Sequence, residues 1–600
     1  MSSNMSRRHR VLHSCAGKIL PATGSTTTRP SIAMRDGNGK DVVPVGKREE
    51  KQVMKEMNGA EVVASILKQE GVKQIIGFPN SELFDASAHL DIPPVITRTP
   101  RVAVNIAEGY ARTTAGRELA VVTVQYGPGA ESAFGGIAQA YNDRAPILFL
   151  PTGYPRGSEA VAPNFEASRN FRHITKWCEA ASRVEHLPKL MHSAITRVRN
   201  GRPAPVLLEL PVDLLAEKLD PSLNLYQRPR RSVPQADAGE IAELVNTLLA
   251  AKSPVIFAGQ GVLAGSASQE LVEFAELLRI PVMTTPNGKS GFPENHPLAL
   301  GTAGRARPAT IDHFMDKADV VLALGTSLTR SHYILPIARD KVVLQVTIDE
   351  GDLGKDYPIA QGVVSDVRAA LMQMIAHVRT EGLTATDCGD IAGEIRSIRT
   401  AFMERWVPFL TADSEPISPY RVVWEIMRAV DPAKTIVTHD AGNPRDQLSP
   451  FYEASVPGSY IGWGKTTQLG SGLGFALGAK LARPEATVVN LMGEAAFGMV
   501  GIDFETAIRC SLPILTVVMR NNVLGGYAAS MPIATGKYGA NRMSGGYAPI
   551  AEALGGYGEC VTSPAKLRPA LLRAIEKVGH GQAALVEVVT HEEPRLPGLS

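Results

Sequence analysis

Residues 487–522 read TVVNLMGEAAFGMVGIDFETAIRCSLPILTVVMRNN, and this stretch decides the fold class. Two short, continuous apolar runs, Thr487 to Met492 and Pro513 to Met519, flank a helical pattern. A strand, a helix and a second strand in this order predict two neighbouring parallel strands that are buried on both faces. Gly493-Glu494-Ala495 follows the first run and Asn521-Asn522 follows the second. Both strand ends then face one crevice, which is where such sheets bind ligands.

The same alternation of strands and helices continues along most of the chain. Two stretches look like linkers, Ala216 to Asp237 and Gly382 to Pro419, because both are rich in turn-forming residues. The pattern predicts an α/β protein with three doubly wound parallel-sheet domains, at residues 58–220, 235–380 and 415–595. The other predicted strands are Gln74–Phe78, Ala120–Val124, Pro146–Leu150, Pro205–Glu209, Pro254–Ala258, Pro281–Thr284, Asp319–Leu324, Val342–Ile348, Thr435–Thr438 and Ala584–Val588.

Composition excludes several classes of function. The chain has 62 Lys and Arg against 60 Asp and Glu, so it carries no basic surface signal for nucleic acid or anionic lipid. Its apolar runs are far shorter than the roughly 18 residues of a membrane-spanning helix. Its five cysteines are scattered singly, which argues against a disulfide framework and favours a reducing compartment. We therefore expect a cytoplasmic protein that acts on a small molecule, without nucleic-acid or membrane partners.

The first 57 residues are predicted to form a disordered extension because they lack apolar periodicity. Residues 1–35 are rich in Arg and Ser and contain no Asp or Glu. That composition is also typical of organelle import peptides, so import through this segment is an alternative to a cytoplasmic location. Order is predicted from about Gly59, where Val62, Val63, Ile66 and Leu67 fall on one helical stripe.

The ends of the two strands in residues 487–522 carry residues suited to a metal and a phosphate. A carboxylate from Glu494 and an amide oxygen from Asn521 or Asn522 are hard ligands of the kind that Mg²⁺ uses. The small residues Ala495 and Ala496 let backbone N–H groups approach a diphosphate. The alternative is structural: Glu494 caps a helix and the two asparagines form a turn.

This spacing resembles the thiamine-diphosphate signature, a Gly-Asp-Gly followed about 25 residues later by Asn-Asn. Several further segments resemble the acetolactate synthase group of that enzyme family, in the same order along residues 58 to 595. They are Gly127-Pro128-Gly129, Gly201 to Val206, Gly291-Phe292-Pro293, His296-Pro297-Leu298, Ser418 to Val422 and the run GSGLGFALGAKLARP from Gly470 to Pro484.

The resemblance implies a pyrimidine-binding first domain, a central Rossmann-like domain and a diphosphate-binding third domain. It implies that Mg²⁺ is held by Glu494, in place of the usual Asp, by Asn522 and by the backbone carbonyl of Leu524. Leu469 would press under the cofactor, as a large aliphatic residue does in the family. The cofactor-binding residues implied by the resemblance are Gly127, Gly442, Asn443, Leu469, Gly493, Ala495 and Ala496.

The side chain that the family uses for acid–base chemistry is absent. The family places a glutamate nine residues before a Gly-Tyr-Ala-Arg run; here Gly109 to Arg112 is that run, and the matching position is Pro100. In the family this glutamate shares a proton with ring nitrogen N1′ of the cofactor. Proline has no donor or acceptor in its side chain, and general acid–base assistance is typically worth about 10² to 10⁴-fold. Glu108, eight residues on, is expected to be a surface or packing residue.

Three interpretations stay open. The chain could resemble glyoxylate carboligase, a branch of the family that also lacks the glutamate. A second group, such as Tyr126 or a water molecule, could take over the N1′ contact. The chain could instead bind cofactor and serve a structural or regulatory role. A nicotinamide dehydrogenase is a weaker interpretation, because the Gly-rich turn from Gly259 to Gly265 lacks GxGxxG and the downstream ribose acid.

The resemblance also implies the reaction and the assembly. It implies a Mg²⁺-dependent carboligase or decarboxylase that acts on a small 2-oxo acid or aldehyde through an enamine at C2 of the cofactor. Tyr154 stands where acetolactate synthases carry glutamine, which puts pyruvate as the substrate in doubt. FAD could bind the central domain, with Arg305 and Arg307 on its phosphates. We expect a homodimer or homotetramer, in which residues 95–130 of one chain contact residues 465–530 of another at the active site.

Overall fold

The structure is a computed structural model, and it describes residues 56–158, 161–384, 389–462, 464–466 and 468–598. The predicted import segment, residues 1–35, lies outside the described residues, as does the predicted extension up to residue 55. Met57, which we assigned to that extension, lies instead in a short strand paired with Leu219. No helix within these described ranges is long and apolar enough to cross a membrane.

The first region forms a seven-stranded sheet in the order β3-β2-β4-β5-β8-β6, with β7 also paired to β8. Every strand pair in this sheet is parallel. The strands of this sheet are β2 Ile75–Gly77, β3 Pro94–Ile96, β4 Ala120–Thr123, β5 Ile147–Phe149, β6 Thr152–Gly153, β7 Trp177–Ala180 and β8 Val206–Pro211. Strands β1 Met57–Asn58 and β9 Lys218–Leu219 form a separate antiparallel pair. The helices are α1 Gly59–Gln69, α2 Ser81–Ala88, α3 Pro100–Thr113, α4 Pro128–Asn142, α5 Ala167–Asn170, α6 Leu187–Arg199 and α7 Val212–Ala216.

The central region forms a six-stranded parallel sheet in the order β12-β11-β10-β13-β14-β15. Its strands are β10 Pro254–Ala258, β11 Val282–Thr284, β12 Ala299–Thr302, β13 Val320–Leu324, β14 Val342–Thr347 and β15 Gln361–Val364. The helices are α8 Ala238–Leu249, α9 Gln260–Ala264, α10 Ser268–Leu278, α11 Ala309–Lys317 and α12 Val367–Thr380. The amphipathic segment of the second predicted linker forms the long helix α13, Ile391–Leu410.

The third region forms another six-stranded parallel sheet, in the order β17-β16-β18-β19-β21-β20. Its strands are β16 Thr435–His439, β17 Tyr460–Ile461, β18 Thr487–Gly493, β19 Leu515–Arg520, β20 Tyr557–Val561 and β21 Ala584–Val589. The helices are α14 Pro419–Ala429, α15 Asn443–Leu448, α16 Ser471–Ala482, α17 Glu494–Val500, α18 Phe504–Arg509, α19 Tyr527–Ser530, α20 Pro532–Tyr538, α21 Ala548–Ala553 and α22 Pro564–Gly579.

Three parallel sheets with helices between their strands confirm the predicted α/β class. The strands β18 and β19 are direct neighbours, and Gly493 pairs with Met519. The two chain segments that leave these strands therefore start side by side. This register brings Glu494 next to the Asn521-Asn522 turn, as the strand-end argument predicted.

Helices α3 and α16 pack together so closely that glycine is required at the contact. A Cβ atom on Gly478 would lie 2.0 Å from the carbonyl oxygen of Ile106, and one on Gly109 would lie 2.4 Å from that of Phe475. Both helices start at the same end of this contact, because Arg101 near the start of α3 bonds to Leu469 just before α16. The structure makes this contact within one chain, and a contact of residues 95–130 with residues 465–530 of a second chain stays a prediction. The small residues of α16 allow the contact with α3.

Candidate active site

The Glu494 carboxylate links the ends of strands β18 and β19, where the sequence analysis predicted a ligand site. It is the first residue of α17 and is buried. Its Oε1 atom accepts hydrogen bonds from the backbone N–H groups of Asn521 at 2.8 Å and Asn522 at 2.5 Å. Oε2 lies 3.4 Å from the hydroxyl of Tyr547. Burial, followed by the nearby Glu494 charge, raises the pKa of Tyr547 to about 12.

Asn522 and Leu524 lie on the same turn. Asn522 has a positive φ of 59°, a conformation that asparagine tolerates better than most residues. Its side-chain oxygen lies 3.3 Å from an Arg520 guanidinium nitrogen. The backbone N–H of Leu524 donates to the carbonyl of Asn541 at 2.7 Å. Two of the three residues implied as metal ligands therefore lie on the turn after β19, and the third, Glu494, reaches that turn with its carboxylate.

A glycine-lined space adjoins this turn. Gly442 begins α15 with a φ of +83°, and a Cβ atom there would meet nothing within 4 Å. A Cβ atom on Gly493 would meet only Pro444, at 3.9 Å. A Cβ atom on Gly525 would lie 3.2 Å from the amide nitrogen of Asn443. Three backbone segments thus leave open space beside Glu494, bordered by the first turn of α17 with Ala495 and Ala496.

These features fit a diphosphate and a Mg²⁺ ion. Mg²⁺ takes a few protein oxygens and completes its shell with phosphate and water, so one carboxylate, one amide and one carbonyl suffice. No cluster of three or more His, Cys, Asp or Glu residues suited to a metal occurs in the described part of the chain. A self-contained metal cage is therefore absent there, and the donor set suits a metal that is shared with a phosphate.

Asp440 fixes the turn that carries Leu469. This buried carboxylate follows β16 and accepts hydrogen bonds from the backbone N–H groups of Gly470 and Gly472, both at 2.9 Å. It also accepts from the N–H of Ala441 at 2.7 Å. The hydrogen bonds satisfy N–H groups at the start of α16. Leu469 is half-buried and packs against the core that the first and third regions share.

Pro100 is the first residue of α3 and is buried. Proline suits that position, because a first-turn N–H has no partner within the helix and the ring fixes a helical φ. Thr99 caps the helix, and its hydroxyl donates to Asp503 at 3.0 Å. The N–H of Arg98 donates to the same carboxylate at 2.7 Å. The helix start therefore contains no carboxylate of its own, and Asp503 serves to anchor it.

Glu108 lies deep in the interior, so of the two expected roles packing applies and surface exposure is wrong. It is fully buried and forms an ion pair with Arg112 at 3.3 Å. Burial raises the pKa of Glu108 to about 8, even though Arg112 acts in the opposite direction. It lies about two helical turns from Pro100 along α3, so it does not fill the position of the absent glutamate.

Tyr126, Gly127 and Tyr154 lie together at the strand ends of the first region. The two tyrosine rings are 4.8 Å apart between centroids. Gly127 has a φ of +60°, and a Cβ atom there would lie 2.6 Å from the hydroxyl oxygen of Tyr154. Gly127 therefore makes room for the Tyr154 hydroxyl. Tyr126 is 39% exposed, so it faces open space.

A second site lies between the three regions. A cavity of about 170 Å³ is lined by Gly261 and Gly325 of the Gly-rich turns, and the cationic residues that line it are Arg112, Arg144, Arg199, Arg202, Arg231 and Lys465. Arg144 Nε and Arg202 Nη2 are buried and have no hydrogen-bond partner. Burial, with the positive charge of Arg144 nearby, lowers the pKa of Lys465 to about 8.

The cations at this cavity differ from those we expected. Arg307 forms an ion pair with Asp312 at 2.6 Å, and neither it nor the exposed Arg305 lines the cavity. Contact of these two arginines with a flavin phosphate stays a prediction that this cavity does not support. The residues that line it come from separate regions. Arg202 and Gly261 belong to segments quoted from the sequence, Gly201–Val206 and Gly259–Gly265, whereas no local motif marks Arg144 or Lys465.

Comparison with known proteins shows the class of protein to which this fold belongs. Three sequence profiles match in order: the N-terminal TPP binding domain of thiamine pyrophosphate enzymes at residues 57–177, the central domain at 241–374 and the C-terminal TPP binding domain at 440–588. The chain thus has the domain composition of thiamine pyrophosphate enzymes.

Individual relatives narrow this class. An acetolactate synthase isozyme 3 large subunit from Escherichia coli is 30% identical over 89% of this chain and 95% of its own length. A probable acetolactate synthase large subunit from Methanocaldococcus jannaschii is 30% identical over 78% and 81%. A mitochondrial acetolactate synthase catalytic subunit from Aspergillus candidus is 28% identical over 90% and 82%. The chain belongs to the acetolactate synthase-like family of thiamine-pyrophosphate-dependent enzymes.

Proposed function

We propose that the chain is a thiamine-diphosphate- and Mg²⁺-dependent carboligase or decarboxylase for a small 2-oxo acid or aldehyde. The observation that carries this proposal is the junction of Glu494, the Asn521-Asn522 turn and the open glycine-lined space at two adjacent strand ends. The family membership supports the cofactor, and the donor set supports the metal. When bound, thiamine diphosphate supplies a carbon nucleophile for carbonyl carbons.

Different residues around this space would hold the metal, the diphosphate and the rings of the cofactor. Glu494, Asn522 and the carbonyl of Leu524 would hold Mg²⁺ on the diphosphate, with Gly442, Asn443 and Gly493 beside it. Ala495 and Ala496 would offer backbone N–H groups at the start of α17. Leu469, on the turn fixed by Asp440, would support the cofactor rings from below.

The substrate end would use the first region. Gly127 would lie beside the cofactor rings, with the Tyr154 hydroxyl in the space that its missing side chain leaves. Tyr126 and Tyr154 would border the substrate, and their paired rings would narrow the space available to it. This supports a small substrate, with hydroxyl groups placed to contact a carbonyl or carboxylate oxygen.

Because Pro100 stands where the family carries its glutamate, the informative experiment measures activation of the cofactor at C2. Its side chain cannot share a proton, so activation would proceed without that carboxylate. We expect the wild-type protein to exchange the C2 proton of bound thiamine diphosphate for deuterium faster than free cofactor does. We also expect a ligated or decarboxylated product from pyruvate, glyoxylate or a simple aldehyde, measured by mass spectrometry.

The variant Pro100→Glu separates the open interpretations. In a carboligase adapted to lack the carboxylate, this variant should speed C2 exchange and lower or redirect product formation. In a degenerate site, Pro100→Glu should raise both the rate of C2 exchange and the rate of product formation. Wild-type exchange no faster than that of free cofactor, with no product from any donor, would overturn the proposal and leave a cofactor-binding protein without this activity.

We infer that the central cavity binds a phosphate-bearing dinucleotide, FAD in the simplest case. Two buried arginine N–H groups without hydrogen-bond partners and the half-buried Lys465 support an anionic ligand, because guanidinium groups bind phosphates through paired hydrogen bonds. Asp352 also lines the cavity and pairs with a different nitrogen of Arg202, at 2.8 Å. The test is fluorescence titration with FAD. The double variant Arg144→Ala/Arg202→Ala should bind at least about tenfold more weakly, and Arg305→Ala, the matched control outside the cavity, should bind normally. Equal weakening by the control would overturn the assignment.

A further inference from the structure

The turn after α6 forms part of the wall of the central cavity. Helix α6 ends at Arg199, and the chain then turns through Asn200 and Gly201, where φ is +66°. Gly201, Arg202 and Pro203 line the cavity. The position of the Arg202 guanidinium group therefore depends on how this turn is held.

Lys176, the residue before β7, holds the turn by its backbone. Its Nζ atom donates hydrogen bonds to the carbonyl oxygens of Arg197 and Arg202, both at 2.8 Å, and to that of Asn200. An ammonium group has three N–H donors, so these three carbonyls use all of them. Lys176 does not itself line the cavity. It therefore acts on the turn and has no donor left for a ligand.

The end of a helix is an unfavourable place for an anion unless its carbonyl groups are engaged. The last carbonyls of a helix have no partner within it, and they form the negative end of the helix dipole. Lys176 supplies hydrogen bonds and a positive charge at this end of α6. Burial lowers the pKa of Lys176 to about 8, against the effect of Asp349, so the ammonium form predominates at pH 7. A phosphate beside this turn would then meet the Arg202 side chain rather than unbonded carbonyl oxygens.

The Arg202 guanidinium group is oriented by two carboxylates of the central region. Its Nη1 atom forms ion pairs with Asp352 at 2.8 Å and with Asp349 at 3.3 Å. Its Nη2 atom is buried and has no hydrogen-bond partner among the described residues. A buried donor without an acceptor is costly, more so on a charged group. The side chain is thus fixed at one nitrogen and can offer the other to a ligand.

We propose that Lys176 is a positioning residue for the anionic ligand of the central cavity: it fixes the turn after α6, so that Arg202 Nη2 is in place to donate to a phosphate oxygen. The proposal rests on the proposed dinucleotide site, and it deepens that function by naming a residue that acts through Arg202 without touching the ligand. Three observations carry it: the three hydrogen bonds of Lys176, the place of the turn in the cavity wall and the unpartnered Nη2. Without Lys176 the turn would have to be ordered when the ligand binds, and that ordering reduces affinity.

The test is a double-mutant cycle on FAD binding, measured by fluorescence titration at pH 7. The four proteins are the wild type, Lys176→Met, Arg202→Ala and the double variant. Lys176→Met should bind FAD about tenfold more weakly than the wild type, because the hydrogen bond from Arg202 is lost with the order of the turn. In the Arg202→Ala background the same change should weaken binding by less than about threefold, since the group that Lys176 positions is already absent.

A merely structural role for Lys176 would weaken binding by the same factor in both backgrounds, and that result overturns the proposal. Wild-type affinity in Lys176→Met also overturns it. The matched control is Lys189→Met, which removes an exposed lysine from α6 and should bind FAD like the wild type. If Lys176→Met does not fold, Lys176→Gln, which keeps a neutral donor, replaces it in the cycle with the same pattern expected. Failure of the wild type to bind FAD at all overturns the proposed dinucleotide site instead.

Discussion

Glu494 and Asn522 are joined by a hydrogen bond of 2.5 Å, from the backbone N–H of Asn522 to the carboxylate Oε1. Glutamate is one methylene longer than the aspartate of the family signature. With this added length, Oε1 of Glu494 reaches the turn after β19, and Oε2 lies beside the hydroxyl of Tyr547. One side chain thus joins the two strand ends, and in the proposed function it would also hold the metal.

Replacement of Glu494 separates these two roles. In Glu494→Ala, the two backbone N–H groups lose their acceptor, so we expect a stability loss of about 1–3 kcal/mol. In Glu494→Gln, the amide oxygen can still accept from the turn, so stability should be nearly kept while the metal loses its carboxylate. Thermal unfolding with and without Mg²⁺ and thiamine diphosphate measures both effects.

The wild-type midpoint should rise with both ligands, by the equivalent of about 2.7 kcal/mol at 100 times the dissociation constant. That ligand-dependent rise should disappear in Glu494→Gln. A full rise in this variant would show that the metal binds elsewhere.

The contact between α3 and α16 should not tolerate a methyl group. A Cβ atom on Gly478 would lie 2.0 Å from a carbonyl oxygen of α3, so Gly478→Ala should destabilise the protein by about 1–3 kcal/mol, as overpacking does. Gly498→Ala is the control, because nothing lies within 4 Å of its Cβ position on α17. It should be neutral or slightly stabilising. Denaturant unfolding distinguishes the two, and equal effects would argue against the close packing.

Stability should depend on pH through Glu108. Its pKa is raised from 4.5 to about 8 in the folded protein, so the folded state holds a proton that the unfolded state has released between these values. Stability should therefore fall as pH rises through this window, by at most about 1.4 kcal/mol per pH unit. In Glu108→Gln that part of the pH dependence should be lost. The free energy of unfolding of the variant should therefore increase relative to that of the wild type between pH 5 and pH 8.

Unfolding midpoints at several pH values measure this difference. Glu131→Gln, on the exposed face of α4, should follow the wild-type curve. A wild-type curve that rises across the window in parallel with that of Glu108→Gln would mean that Glu108 stays ionised beside Arg112.

A homodimer or larger oligomer remains a prediction for this chain. Met499 and Ile502, at the end of α17 and just after it, are 55% and 50% exposed. They lie next to Asp503, which anchors the start of α3, so a second chain could cover them near the site. Met499→Glu/Ile502→Glu should then lower the mass measured by light scattering. Met372→Glu, at a residue 56% exposed on α12, should not. A wild-type monomer at micromolar concentration with cofactor present would contradict the prediction.

The sequence predicted the central strands well because each is a continuous apolar run. The predicted strand Pro254–Ala258 has the same bounds as β10, and Thr487–Met492 differs from β18 by one residue. Shorter edge strands such as β6 and β15 were missed, since two to four residues of mixed polarity carry no period. Because β18 and β19 are neighbouring parallel strands, their ends lie side by side, and the prediction that Glu494 lies close to Asn522 followed from this arrangement.

Other parts of the site depend on contacts that no local pattern reveals. Tyr547 follows Glu494 by 53 residues, and Arg101 meets a turn 368 residues away. The cations of the central cavity come from different regions. The sequence does contain a signal for the close packing of α3 against α16. Gly470, Gly474 and Gly478 recur every four residues, which places positions without side chains along one face of a helix. That stripe predicts a close partner, but it cannot say whether the partner belongs to the same chain.

The place of Pro100 at the start of α3 gives this residue a part in stability that is independent of any chemistry. A proline that fits its backbone restricts the unfolded chain and stabilises a protein by about 0.4–1 kcal/mol. A carboxylate introduced at this position therefore comes with a less stable helix start. The fold and a proton-sharing group make opposite demands on one residue, so a change in activity at this position has to be compared with the change in stability that accompanies it.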